Sequence, residues 1–245
     1  MSKLPNAAIA EQYNQAMADK YQNDYEFNRW FIRARNRAEY AMTYQAIKHH
    51  LQPLRYTRCL ELGPGPGTWT RLLYRHNPTA TYQLVDISEA MREQFTLEMR
   101  TLPNVTYTLS DIAQFESAER FDIFFSSRAI EYLDDKPAFF AQLKTLLKPG
   151  STGVVITKNP YHGIRKSKKA THQGQLTIET MHQSLREHGF TDISSYPVVV
   201  RIPLMSRLTS EVAEYFFKQW YTEPLAPAAK HRLIESYITV FTLAE

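Results

Sequence analysis

The sequence predicts a doubly wound α/β domain on a seven-stranded, mostly parallel sheet, and three observations carry that prediction. From Arg55 onward, short runs rich in apolar and β-branched residues alternate with amphipathic segments of helical period, the pattern of successive βαβ units. The first run ends at Leu62 and passes into a turn with glycine at alternate positions, Gly63, Gly65 and Gly67, before a helical pattern begins. Acids stand at or just after the ends of the first three expected strands, as Glu61, Asp86 and Asp111. Ligands of open α/β sheets bind at the carboxyl ends of the strands, so these acids fall where a binding site belongs.

The expected strands are 58–62, 81–86, 105–110, 121–126, 153–158, 190–200 and 237–243, chosen for their apolar, β-branched and aromatic content. Helices are expected at 68–76, 88–100, 137–147 and 177–188, the last closed by Gly189 as a C-terminal cap. Ahead of the sheet, residues 1–52 contain no glycine and only one proline, Pro5, and their aromatics and methionines recur at helical spacing. They read as an N-terminal helical cap, with the aromatic stripe of 21–30 read first as packing. Residues 53–245 form the sheet domain. Within it, 203–236 reads as a helical insertion before the last strand, with amphipathic stretches at 208–220 and 226–234. It is far too long for a hairpin connection and is expected to cap the site.

Composition narrows the class. The formal charge of +4 is mild, and the single cysteine, Cys59, lies in an apolar run, so no disulfide framework exists and a buried thiol is expected. No apolar run approaches a membrane span, and the first residues carry no apolar signal core, so a cytoplasmic protein is expected. No metal site is expected.

The glycine spacing separates ligand classes. A dinucleotide fingerprint needs its third glycine three positions after the second, where this chain has Thr68; the third glycine comes at Gly67 instead. An acid at the strand end suits a ligand carrying an ammonium group better than a phosphate. Glu61 followed by Gly63, Gly65 and Gly67 resembles the first motif of the class I S-adenosylmethionine-dependent methyltransferases, a Rossmann-like family. The resemblance covers about 56–158 well and includes the run from Phe121 to Asp135 and the segment Leu146-Leu147-Lys148-Pro149-Gly150, both similar to small-molecule methyltransferases. It implies S-adenosyl-L-methionine as cofactor, with Glu61 and the glycine turn at its methionine end and Ser126 at the end of the fourth strand close by. Similar methyltransferases use an aromatic N-terminal helix as a lid.

The other cofactor contacts follow from position. Asp86 ends the second strand about two dozen residues after the glycine turn, the separation at which an acid reaches ribose hydroxyls. Asp111 can accept from the adenine amine, with Ile87 and Ile112 flanking the ring, and can equally cap the short helix that follows.

The acceptor side is less determined. Tyr132 replaces the histidine that often follows the residue matching Glu131, and Lys158-Asn159-Pro160-Tyr161 follows the fifth strand, not the fourth as in nucleobase amino-group methyltransferases. Base candidates for a hydroxyl or ammonium acceptor are Tyr161, His162, His172 and Glu131. The run 158–172 adds Arg165, Lys166, Lys168 and Lys169 without an acid, and reads either as a solvated loop or as a partner for an anionic group. The expected acceptor is a small or medium-sized metabolite, with anionic, sugar and lipid-linked compounds in the class. An RNA or protein acceptor is the second reading, disfavoured for nucleic acid because aromatic and basic residues do not interleave along one face. A cofactor-binding partner subunit without transfer activity is the third.

Overall fold

The structure, a computed structural model, describes residues 5–19, 24–95, 97–162, 174–201 and 222–245. The chain opens with α1 (Asn6–Asp19) and α2 (Ala34–Leu51), with a π-helical turn at Phe27–Phe31 between them. The sheet domain follows as β1 (Arg58–Leu62), α3 (Thr70–His76), β2 (Thr81–Asp86), α4 (Glu89–Gln94), α5 (Leu97–Arg100), β3 (Val105–Leu109) and β4 (Phe121–Ser127). It ends with α6 (Lys136–Leu146), β5 (Leu147–Lys158), α7 (Ile178–Glu187), β6 (Phe190–Val200) and β7 (Ile234–Leu243). Single 3-10 turns at Ile112–Gln114 and Ile130–Tyr132 follow β3 and β4.

The strands form one seven-stranded sheet in the order β3-β2-β1-β4-β5-β7-β6. Strands β1 to β5 pair in parallel, whereas β7 runs antiparallel to both β5 and β6. The chain steps outward from β1 through β2 to β3, then returns to place β4 on the other side of β1. Between β1 and β4 the order reverses, and a crevice opens at their carboxyl ends.

Both faces of the central strands are apolar, as burial under helices on either side requires. Cys59, Ile123, Phe125, Val154 and Ile156 face α2 and α3, where they share a core with Trp30, Met42, Ile47, Leu51 and Trp69. The alternating residues Leu60, Leu62, Phe124 and Val155 face α6 and α7, packed with Phe139, Phe140, Leu143, Met181 and Leu185. Helix α2 and the π-helical turn therefore share the core of the sheet domain. Trp69, just before α3, packs edge-on to Trp30 at 5.7 Å and stacks on Tyr40 of α2 at 5.2 Å, which fastens that cap beside the glycine turn.

Several boundaries differ from the sequence pattern for local reasons. The helix expected over 88–100 breaks at Phe95, whose extended backbone turns its ring against Gly67 and to within 5.0 Å of Tyr107. Strand β5 starts at Leu147, six residues before the apolar run that marked it. The second amphipathic stretch, 226–234, forms turns leading into β7, consistent with Pro224 and Pro227 interrupting any helical hydrogen-bond ladder. The stretch 208–220 and the basic run from Arg165 through Lys166, Lys168, Lys169 and His172 lie outside the described residues.

The strand-to-helix connection after β1 is closed from below. Glu61 is 1% exposed, and its Oε2 accepts a hydrogen bond from Thr70 Oγ1 at 2.8 Å, tying the last turn of the strand to the start of α3. Burial pushes its carboxyl up to about 8, against the lowering effect of the Thr70 bond and with a further push from Asp86. Because the folded chain keeps this proton far above the ordinary 4.5, stability contributed here is full at low pH and is lost as pH rises toward about 8. Glu61→Gln should abolish that decline, so the melting temperatures of wild type and variant, recorded without ligand, should diverge between those two pH values; parallel curves would contradict it. On the sheet, a Cβ on Gly153 of β5 would lie 2.1 Å from the ring of Phe241 on β7. Gly153→Ala should therefore cost about 1–3 kcal/mol of unfolding free energy, measurable by denaturant titration.

Candidate active site

A cleft of about 720 Å³ opens at the carboxyl ends of β1 to β5, roofed by α1, the π-helical turn and α2. It has two arms of different chemistry.

The first arm lies over β1, β2 and β3. Gly63, Gly65 and Gly67 all have positive φ, at 70°, 56° and 88°. A Cβ on Gly63 would come within 2.4 Å of Ala129, and one on Gly67 within 2.8 Å of the Phe95 ring, so the turn is pressed between its neighbours. Gly65 lies on the cleft wall, and its N–H donates to Asp86 Oδ2 at 3.0 Å. Asp86 Oδ1 accepts from Ser88 N–H at 3.0 Å, which sets the plane of the carboxylate at the cleft wall. Burial raises the Asp86 carboxyl above its ordinary value, and the Ser88 and Gly65 N–H groups oppose that rise. Ile87, Asp111 and Ile112 line the end of this arm. Ser88 Oγ caps α4 through Met91 N–H, leaving Asp86 to the cleft.

Helix α1 closes this arm through two asparagines. Asn6 Nδ2 donates to both Asp111 oxygens at 2.9 and 3.1 Å while its Oδ1 accepts from Asp134 N–H. Asn14 Oδ1 accepts from Ser88 Oγ at 2.9 Å and Ala90 N–H at 3.2 Å. Asp111 also caps the 3-10 turn through Ala113 N–H at 3.0 Å, so its capping role is present in the structure.

The second arm lies over β4 and β5 and carries charge. Arg128, just past β4, has φ of 68°, a left-handed conformation that is rare for arginine and typical of functional sites. Its Nε donates to Glu131 Oε1 at 3.1 Å, and Nη1 lies 3.8 Å from Glu39 Oε1. Glu39, on α2, also receives Arg29 at 2.6 Å and Arg201 at 3.2 Å. Glu235, on β7, pairs with Arg201, with Lys158 at 3.4 Å and with Arg35 at 3.7 Å. Burial alone would raise the Glu235 carboxyl, but Arg201 and Lys158 bring it down to about 2. Burial lowers the Lys158 ammonium, helped by Arg128 and opposed by Glu235, Glu39 and Glu131.

The sequence-derived residues divide by position. Gly63, Gly65, Asp86, Ile87, Asp111 and Ile112 converge on the cleft wall. Glu61, Gly67 and Ser126 stand behind it: Glu61 beneath the turn, and Ser126 fully buried with its Oγ donating to Leu62 O at 3.1 Å. Glu131 is 1% exposed and fully engaged, accepting from Arg128, from Thr157 Oγ1 and from Lys158 N–H. Its carboxyl is lowered, because Arg128 and these bonds outweigh burial, and it serves to hold Arg128. Tyr161 is exposed beneath Lys230, whose Nζ lies 5.6 Å from the ring centroid. His162 is not among the wall residues, and burial lowers its pKa further below neutrality, helped by Arg201, Lys158 and Arg35 and opposed by Glu235. His172 is outside the described residues.

Sequence reading missed Arg29, Arg33, Arg35 and Glu39, although four arginines between positions 29 and 37 were a visible signal. Arg128 and Glu235 carried none, since each acquires its role only from the fold. Two hydroxyls buried at the wall, Thr68 Oγ1 and Ser127 Oγ, have no hydrogen-bond partner among the described residues. Orphaned hydroxyls flanking a glycine turn, with an oriented carboxylate and two isoleucines beyond, fit a nucleoside-bearing polar ligand.

The sequence matches a family model described as a methyltransferase domain over residues 59–150. It is 26% identical over 113 residues to malonyl-[acyl-carrier protein] O-methyltransferase 2 of Ilyobacter polytropus, covering 45% of this chain and 44% of that protein. It is 29% identical over 131 residues to trans-aconitate 2-methyltransferase of Yersinia pseudotuberculosis, covering 54% and 48%. The chain thus spans about half the length of the curated relatives it matches. In fold it is similar to the N-methyltransferase NodS from Bradyrhizobium japonicum, crystallised with S-adenosyl-L-homocysteine, at a TM-score of 0.61 and 16% identity over 98% of this chain and 100% of that one. With this strand order, a glycine turn at its switch point and a family-model match across the motif-bearing strands, the chain carries a methyltransferase domain over 59–150 and has the fold of the class I S-adenosylmethionine-dependent methyltransferases.

Proposed function

We propose that the chain methylates a carboxylate on a small-molecule acceptor, with S-adenosyl-L-methionine in the first arm of the cleft and the acceptor in the second. The observation that carries this reading is the continuity of the two arms: an oriented acid and a glycine turn at one end, and an arginine-rich wall at the other, in a single cleft. Asp86 would accept from the ribose hydroxyls, and Ile87 and Ile112 would flank the adenine beside Asp111. The Gly63–Gly65 turn, with Thr68 and Ser127 beside it, would receive the methionine end. When bound, the cofactor supplies an electrophilic methyl group on a positively charged sulfur.

The chain's part in transfer is alignment and exclusion of water. The roof of Arg29, Trp30 and α2 covers the cleft, and Arg128 and Lys158 hold a negative oxygen at the β4 and β5 ends. An amine or alcohol acceptor needs a base, and the base candidates offer little: Glu131 is engaged on all sides, and Tyr161 and His162 are off the wall. A carboxylate, ionised above about pH 4, is already a nucleophile at neutral pH and needs none. The names of the two relatives point the same way, since a malonyl group and trans-aconitate are both carboxylic acids.

Calorimetry should show S-adenosyl-L-homocysteine binding to the wild type, and Asp86→Ala, which removes hydrogen bonds to an ionised group, should weaken it ~10–100-fold. Retained affinity in that variant would overturn the assignment of the first arm. With radiolabelled S-adenosyl-L-methionine and a carboxylic-acid pool, transferred label should be released as methanol by mild base, the signature of a methyl ester. Base-stable label on amines, RNA or protein would contradict the carboxylate reading.

A further inference from the structure

Two carboxylates on the acceptor side are each approached by more positive charge than they can neutralise, and a third serves one of the same cations. Glu39 is approached by Arg29, Arg128 and Arg201, and Glu235 by Arg201, Lys158 and Arg35, while Glu131 serves Arg128. Among the described residues five cations therefore stand against three anions, an excess of two; four of the five lie largely out of solvent, whereas the Arg35 side chain is 57% exposed. The side chains of Arg29, Arg128, Lys158 and Arg201 are between 19% and 26% exposed, and those of the three acids at most 7%. Desolvated charge is normally paired, and a cleft whose described residues carry two more cations than anions suits an anion of matching charge. The left-handed backbone of Arg128 fits this, because a strained residue is retained where its side chain has to be presented. By sequence, the residues outside those described add no net negative charge: 163–173 carries four cations and no acid, and 202–221 two of each.

We infer that the acceptor carries two anionic groups, one the carboxylate that is methylated and the other a carboxylate or phosphate that stays charged and anchors the molecule on the Arg128, Lys158 and Arg35 wall. This inference rests on the methyltransferase reading and names its substrate class. In the transfer step a carboxylate oxygen forms the new bond to the methyl carbon, the sulfur–methyl bond breaks, and its electron pair remains on sulfur. The acceptor loses one negative charge and the cofactor goes from one positive charge to none. The product thus leaves a wall with one counter-charge fewer than the substrate brought, which favours its release.

The test is calorimetry on the wild type saturated with S-adenosyl-L-homocysteine, at constant ionic strength. One arm uses unbranched dicarboxylates from malonate to adipate against their monomethyl esters, and the other phosphoglycolate against glycolate. In at least one arm the compound bearing two anionic groups should bind ~10-fold or more tightly than its counterpart bearing one, the effect of about one extra ion pair. The arm that responds names the second group. Arg128→Met and Lys158→Met should each erase that preference, with Arg128→Lys retaining part of it, while S-adenosyl-L-homocysteine affinity shows that each variant is folded. Equal affinity for the two compounds of each pair in both arms, or a preference that survives both methionine variants, would overturn the inference while leaving the cofactor site intact. Failure of S-adenosyl-L-homocysteine to bind the wild type would instead remove the reading beneath it.

Discussion

The bend that carries β1 into α3 leaves no room for a side chain, and the shape of the whole cleft depends on that tightness. Ala129 presses on Gly63 from the β4 side, and the Phe95 ring presses on Gly67 from the β2 side. The glycine turn therefore sets how closely the ends of β4 and β2 can approach β1. With the backbone this exposed, the Gly65 N–H reaches the Asp86 carboxylate, so one main-chain bond couples the turn to the acid at the neighbouring strand end. The break between α4 and α5 is the local cost of placing Phe95 where it closes the turn.

Electrostatics divides the cleft where geometry joins it. In the first arm, carboxylates are oriented by backbone N–H groups and asparagine amides, partners that add no net charge. In the second arm, carboxylates are bound by guanidinium and ammonium groups, which lower Glu131 and Glu235. The former leaves acids free to accept from neutral hydroxyls; the latter converts acids into scaffolding for cations. Glu131 illustrates the difference. By its loop position it is a candidate base, yet three donors converge on it, Arg128 among them.

The sheet, and the convergence of the glycine turn, Asp86 and Asp111 on one cleft wall, were largely legible in the chain, because both are written in local patterns. Strand ends are marked by apolar runs that stop, turns by glycine, and the positions of Asp86 and Asp111 follow from counting along βαβ units. What period-two and period-3.6 patterns do not encode is which side chains meet across distant elements. The pairing of Glu39 with Arg201 spans most of the chain, and Glu235 becomes a wall residue only because β7 inserts antiparallel between β5 and β6. The interruption at Phe95 escaped for the opposite reason, since a ring's contact with one glycine overrode a helical pattern that was otherwise continuous. The early start of β5 at Leu147 has the same character: pairing with Phe121 extends the strand through a proline and a glycine that locally argue against it.

Glu39 has a broader meaning for how such a protein diverges. It lies on α2, before the first strand, yet it is the shared counter-ion of an arginine after β4 and another after β6. The segment ahead of the sheet thus supplies half of a charge cluster whose other half is fixed at the strand ends. On the proposed reading, exchange of that segment between related chains would carry acceptor preference with it, while the first arm, built from the sheet's own turns, stayed the same.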